Sequence, residues 1–460
     1  MNVMSLPPAS VESSSTDSLP RRSSRLDFPK GFLWGVSTAA HQVEGGNEKN
    51  QWFDWEMAGR IKSGDSCRYA CDWWNNAERD FDLARDMGLN ALRLSMEWSR
   101  IEPEEGRWDL KALQRYREQL EGLHARGIRP MVCLHHFTHP QWFEKQGAFL
   151  SANAPALFER FTRQVVSGLG DLCHDWVTFN EPNVYAAFGY VLGEFPPGRK
   201  GEIGTALRVI STQAQAHLRA YRAIHELQPD AQVGWAQHYA VFEPVGWGLD
   251  RWVAFLLNEI FNENFLQLIE QGRLGFPFSV FDGTAGDVKG MCDFVGLNVY
   301  SRFHVAFDFS NASQIFGRVF VPSHVPQGDS GVEKPYGEAY PRAIRLAVER
   351  AARIGKPIYI LENGVPDAND RIRPWLIANV ISELHKLIKE KYDIRGYFHW
   401  TLTDNFEWTE GWKLRFGLVA LDHTTQERTM RPSGRLYSEI ARTNSLSLEM
   451  IEKYSSPPLP

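Results

Sequence analysis

Short apolar runs alternate with amphipathic stretches along most of this 460-residue chain. Eight runs stand out: LWGVS (33–37), ALRLS (91–95), PMVCL (130–134), WVTFN (176–180), QVGWA (232–236), DFVGLN (293–298), PIYILE (357–362) and RGYFHW (395–400). Runs this short and continuous read as strands buried on both faces, as in a parallel sheet covered by helices. Between them the apolar positions space out. In LKALQRYREQLEGLHARG, Leu110, Leu113, Leu120 and Leu123 form one stripe of a predicted helix, and Gly127 supplies a C-terminal stop. Strands alternating with helices predict βα units, and eight such strands close a (β/α)8 TIM barrel. A doubly wound open sheet is the alternative, but it gives no reason for polar residues at so many strand ends.

Those ends carry the chemistry. The first run leads to Gln42, the second carries Arg93, the third ends in His135 and His136, and the fourth in Asn180 and Glu181. The fifth leads to His238 and Tyr239, the sixth to Asn298 and Tyr300, the seventh to Glu362 and the eighth to Trp400. A single polar residue after a strand is usually a satisfied structural group. Polar groups after nearly every strand, converging at one rim, must find partners or a substrate. Glu181 and Glu362 would then face each other where sites of this fold are built. A pair about 5 Å apart makes a retaining glycosidase, and a pair about 6.5 to 9.5 Å apart an inverting one.

Composition narrows the setting. With 43% hydrophobic and 23% charged residues, the chain has the means to bury one large core, so a single catalytic domain over residues 27–453 is expected. The balance of 50 basic against 56 acidic residues leaves no electrostatic footprint for nucleic acid or an anionic membrane, and no stable membrane association is expected. Sixteen tryptophans suit a sugar site, although most must be core in a chain this long. Cys67, Cys71, Cys133, Cys173 and Cys292 are sparse and odd in number, which argues against a secreted disulfide framework. Cys67 and Cys71 lack a second pair at zinc-site spacing, so no metal site is predicted. Residues 1–26 are rich in Ser and Pro without the apolar stretch of a signal peptide, and read as a disordered extension. Residues 454–460 read as a tail, and a cytoplasmic protein is expected.

Four motifs occur in order: FPKGFLWGVSTAAHQVEGG, TFNEP, LENG and WTLTDNFEWTEGW. Together they resemble glycoside hydrolase family 1, the retaining β-glucosidase and β-galactosidase family, over almost the whole chain from Phe28 to about Ile440. The resemblance implies that Glu362 is the nucleophile and Glu181 the acid/base. It implies that Arg93 and Tyr300 support the nucleophile, a role that positive charge and hydrogen bonding at a carboxylate explain. It also implies that Gln42, His135, Asn180, Asn298, Tyr300, Glu407 and Trp408 contact the glycone, with Trp400 as the floor under the ring. No cofactor is implied. In the family's phospho-sugar branch, Ser replaces Glu407 and a Lys and a Tyr hold the phosphate; here Phe416 stands in place of that Tyr. A neutral glycone is therefore expected despite Lys413, with glucose, galactose and fucose all open.

The chain departs from the family pattern in places. LHHFTHP replaces the commoner HWDLP, which puts His136 where a Trp is expected, and Val299 replaces the first Tyr of NYY. The segment 302–326 carries five Phe and reads as a long aromatic loop, either burying its own rings or walling a site for a lipophilic or aryl aglycone. Two other readings stay open: transglycosylation to a lipid or alcohol acceptor, and a non-catalytic sugar-binding protein on the same fold. Intact Glu181 and Glu362 weigh against the second, because binding alone needs neither carboxylate.

Overall fold

The computed structural model describes residues 25–275, 286–311, 315–331 and 336–458. Eight strands form a closed ring: β1 (Leu33–Ser37), β2 (Ala91–Ser95), β3 (Arg129–His135), β4 (Asp175–Asn180), β5 (Gln232–Pro244), β6 (Val295–Phe307), β7 (Ile358–Glu362) and β8 (Ile394–His399). Each pairs in parallel with the next, and β8 pairs back to β1. Closure excludes the open sheet. Within the ring every described strand has a neighbour on both sides, and the crossovers place helices outside it.

The core has two layers. Inside the barrel, Ala91, Met131, Cys133, Val177, Phe294, Leu361 and Phe398 pack together. A larger shell fills the space between strands and helices. The helix Leu110–His124 illustrates how the shell is built: Asp109 caps it by accepting from the backbone of Lys111 and Ala112, and Leu113, Leu120 and Leu123 are buried. Leu110, expected on the same stripe, is 65% exposed, because it is the first helical residue and precedes the contact face. Tyr116 occupies the buried stripe instead.

Strands β5 and β6 run well past the predicted ends and stay paired as far as Pro244 and Val305. Beyond the barrel, β6 pairs antiparallel with Gly317–Phe320 and with Glu338–Ala339. Much of the predicted aromatic loop is therefore sheet, and positions 312–314 lie outside the described residues. The signal was present: Phe303, Val305 and Phe307 alternate with polar or small residues, the period of a strand.

Arg25–Asp27 pairs antiparallel with Ser445–Ser447, so residues ahead of the domain start expected at residue 27 already pair with the chain's far end. The rest of the expected extension, residues 1–24, lies outside the described residues. At the other end, the Tyr454 carbonyl accepts from Asn379 Nδ2 at 2.8 Å, which ties down the start of the expected tail. All five cysteines are buried free thiols. Among the described residues, no helix is long and apolar enough to cross a membrane.

Candidate active site

Register places the polar strand ends at one level. Glu362 pairs with Asn298 across β7 and β6, and Asn298 pairs with His238 across β6 and β5. Simple alternation brings Arg93 and Asn298 inward, since Ala91 and Phe294 on the same strands belong to the barrel interior. It would turn Glu362 outward, because Leu361 already faces in. A register slip between Ile360 and Glu362 reverses this, and a second slip between Val177 and Asn180 does the same for the other glutamate's strand. Bulges of this kind re-aim side chains at barrel rims. Glu181 follows in a left-handed conformation at φ 45°, a strained position for a residue with a Cβ.

Glu181, Glu362, Asn180, Tyr300, Trp400, Glu407 and Trp408 line one cavity of about 480 Å³. Glu362 is held from both sides: Arg93 Nη1 donates to Oε1 at 2.7 Å and Tyr300 Oη donates to Oε2 at 2.6 Å. Arg93 also donates to Asn180 Oδ1. Asn298 Nδ2 donates to that oxygen at 3.0 Å and to Glu181 Oε1 at 2.8 Å. A chain of side-chain hydrogen bonds thus joins the two glutamates, and His238 Nδ1 lies 3.0 Å from Glu181 Oε1. Gln42 Nε2 donates to Glu407 Oε2 at 3.2 Å, and the Trp400 indole also bonds Glu407. Gly364 lets these strand ends close up, because a Cβ there would lie 2.2 Å from the Trp400 carbonyl oxygen.

Three buried carboxylates around one cavity repel one another. The Glu362 carboxyl stands raised to about 7: burial pushes it up most, Arg93 pulls it down, the charge of Glu181 pushes it up and the Tyr300 hydroxyl pulls it down. Glu407 is pushed up to about 8, by burial first and then by the charge of Glu362. Groups so placed titrate together, and near neutral pH the cluster retains protons. Gln42 Oε1, Asn298 Oδ1 and His136 Nδ1 are buried without a hydrogen-bond partner in the protein. Of these only His136 lines the cavity, where such an atom is a site for a ligand hydroxyl.

Three of the expected contacts, Gln42, Asn298 and His135, do not line the cavity: Gln42 and Asn298 stand behind it, bonded to Glu407 and to Asn180 and Glu181, while His135 faces away. With its register partner Phe179, His135 turns outward and packs against Phe149, Phe158 and Tyr185. His136 takes the inward place, its ring stacked 5.9 Å from Trp400 and 6.0 Å from Trp408. Aligning on Pro140 gives the reason: HFTHP matches HWDLP residue for residue, so His136 is the motif's His and Phe137 stands for its Trp. Lys413 is exposed at the surface, outside the cavity lining. Tyr336, which lines the cavity beside Phe416, carried no signal in sequence because it follows no strand of the ring.

Another cluster offers metal-type ligands: His41, Glu56 and Cys67 place one atom each within 4.8 Å of one another. Hydrogen bonds already engage these groups. His41 meets Asn50 and Glu56, Glu56 accepts from Ser66 and the Cys67 backbone, and the thiol donates to the His41 carbonyl. Burial also pushes the Cys67 thiol well up, against the thiolate a metal needs.

The sequence pattern of glycosyl hydrolase family 1 matches residues 24–446. β-Glucosidase A of Thermotoga maritima is 31% identical over 91% of this chain and 98% of its own length. A β-galactosidase of Sulfolobus acidocaldarius is 29% identical over 94% of this chain and 99% of its own. In structure, the β-glycosidase from Pyrococcus horikoshii superposes with a TM-score of 0.84 at 34% identity, over 94% of this chain and 99% of that one. The T. maritima β-glucosidase in complex with deoxynojirimycin gives 0.86 at 30% identity, over 92% of this chain and all of that one. Fold, strand-end residues and relatives agree: the chain belongs to glycosyl hydrolase family 1.

Proposed function

We propose that this protein hydrolyses terminal β-linked neutral sugars with retention of configuration. Glu362 acts as nucleophile and Glu181 as acid/base. The observation that carries the reading is the shared cavity, in which Glu362 accepts from Arg93 and Tyr300 while Glu181 sits at the far end of the Asn180–Asn298 chain. Donors on both oxygens favour the ionised form of Glu362, which suits it to the nucleophile's role and leaves the acid/base role to Glu181. Glu362 attacks the anomeric carbon as Glu181 protonates the departing oxygen, forming a covalent glycosyl-enzyme. Glu181, now ionised, takes a proton from water, and the water displaces Glu362. Two displacements restore the β configuration, and the mechanism requires no metal or cofactor.

Asn180, His136 and Glu407 are assigned to the glycone hydroxyls and Trp400 to the ring face. Glu407 lines the cavity where the phospho-sugar branch has Ser, which favours a neutral glycone. Glucose leads, and galactose and fucose are the alternatives, since the named relatives include both β-glucosidases and β-galactosidases. The buried free cysteines favour a reducing compartment, and the composition of residues 1–24 favours an extension outside the catalytic domain.

A panel of nitrophenyl β-glycosides tests the reading, with early NMR of the product. The β-anomer appears first; an α-anomer appearing first would remove the mechanism. Glu362→Gly abolishes turnover, and azide or formate partly restores it by filling the nucleophile's space and giving the α-product.

A further inference from the structure

The cavity is chemically lopsided. Its glycone end gathers Asn180, Glu407, Trp400 and Trp408. Beyond Glu181 the wall turns apolar: Val184, Phe188 and Val191 follow the glutamate, and Leu207 and Ile210 come from the helix Ile203–Leu227. Phe242 of β5 and Phe303 of β6 add the outward ends of the two long strands. Lys62, Glu194 and Glu410 also touch the cavity, but Lys62 Nζ pairs with Glu194 at 3.2 Å and with Glu410 at 2.5 Å. Lys62 is thereby held between two carboxylates and leaves no free cation in that trio, whose charged groups sit together at one side of the cavity.

Two π-helical turns, Ala187–Leu192 and Glu259–Glu263, both line this apolar end. Such turns carry an inserted residue and cluster at functional sites. Here they aim Phe188, Val191, Ile260 and Phe261 into the cavity.

The apolar lining continues to the outside. Val319 lines the cavity and is also 38% exposed, so it stands where the wall meets the surface. Beside it runs the helix Leu249–Asn258, packed through Val253 and Ala254 on Val305. That helix exposes Leu249, Trp252 and Phe255, each at about half of its area. The same helix supplies Leu257 to the cavity lining and touches Gly317–Phe320, so its exposed apolar side chains adjoin the mouth and are not scattered surface residues.

We propose that the aglycone end accepts a hydrocarbon chain, so that favoured substrates are β-glycosides of long-chain alcohols. The first part of the chain lies between the two π-turns, and the remainder leaves past Val319 along Trp252 and Phe255. The proposal rests on Glu181 and Glu362 being the catalytic pair.

The test is a series of alkyl β-glucosides from butyl to dodecyl, each below its micelle concentration, with nitrophenyl β-glucoside alongside. Burying methylenes raises kcat/KM by about fourfold per CH₂ until the cavity is full, after which it levels off. Val319→Glu, at a partly exposed position that tolerates charge, cuts the rates of the longer homologues several-fold more than those of the butyl and nitrophenyl glucosides. A flat series with active nitrophenyl turnover overturns the hydrocarbon proposal alone. A steep series that Val319→Glu does not alter overturns the proposed exit path. Failure on every glycoside, nitrophenyl included, overturns the catalytic reading beneath it.

Discussion

Asn180 Nδ2 lies 3.0 Å from His136 Nε2, and Arg93 fixes which way that hydrogen bond runs. A guanidinium only donates, so the Asn180 oxygen must face Arg93 and its amide N–H must face the imidazole. His136 Nε2 therefore accepts, and the ring's proton sits on Nδ1. Burial and the charge of Arg93 hold His136 well below the usual imidazole range, which keeps the ring neutral. Nδ1 has no protein partner and its ring lies against Trp400 and Trp408, so a glycone hydroxyl can accept from it.

His136→Ala therefore lowers kcat/KM by about tenfold, the cost of one lost neutral hydrogen bond to substrate. His135→Ala leaves kcat/KM within a factor of two or so but lowers Tm, because it opens a hole among Phe149, Phe179 and Tyr185. Equal kinetic loss in both variants would show that the two histidines have been assigned to the wrong sides of β3.

The barrel was legible because each strand is buried on both faces, which writes an apolar run that periodicity can find. All eight runs overlap the ring strands, and LWGVS and ALRLS match β1 and β2 end to end. The strand-end rule then pointed to Glu181, Glu362, Arg93 and Asn298, which one chain of hydrogen bonds through Asn180 joins. It failed where alternation breaks: no residue in PIYILE announces the slip that turns Glu362 inward, and β3 offered two adjacent histidines with no local clue to which faced in. The outer parts of β5 and β6 were missed because their partners there are each other and Gly317–Phe320, outside the barrel pattern. Leu110 shows the same limit in a helix, where periodicity sets the stripe but not where contact begins.

Glu407 makes folding stability depend on pH in a defined direction. Its carboxyl is raised from 4.5 to about 8, so across that range the folded protein holds a proton that the unfolded chain releases. Stability from this group is present below the lower value and is lost as pH rises through the upper one. Glu407→Gln keeps an acceptor for Gln42 and never ionises. Its Tm exceeds that of the wild type by a few degrees above pH 8, and the gap closes toward pH 4.5. A gap independent of pH, read by thermal melts in a buffer series, would place the raised carboxyl elsewhere.

Tyr300 shapes the acidic side of the activity profile. Its hydroxyl donates to Glu362 Oε2 at 2.6 Å and lowers a carboxyl that burial otherwise raises. In Tyr300→Phe that donor is gone, Glu362 ionises at higher pH, and the acidic limb of kcat/KM moves upward. The alkaline limb, set by loss of the acid's proton, moves less. An unchanged acidic limb in Tyr300→Phe would mean that Glu362 is not the group whose ionisation starts the reaction.

Leaving groups separate the two carboxylates. Glu181 matters when the departing oxygen is a poor leaving group and hardly at all for a phenol that leaves unaided. Glu181→Ala therefore lowers turnover of alkyl glycosides and disaccharides by about 10² to 10⁴, while dinitrophenyl glycosides still form the intermediate quickly. The intermediate then accumulates, because the same residue is the base that activates water in the second step. Azide needs no base; it speeds release and gives the β-glycosyl azide, which NMR identifies. If Glu181→Ala slows activated and unactivated substrates alike and azide changes nothing, the proton is carried by another group, and His238, 3.0 Å from Glu181, is the first to examine.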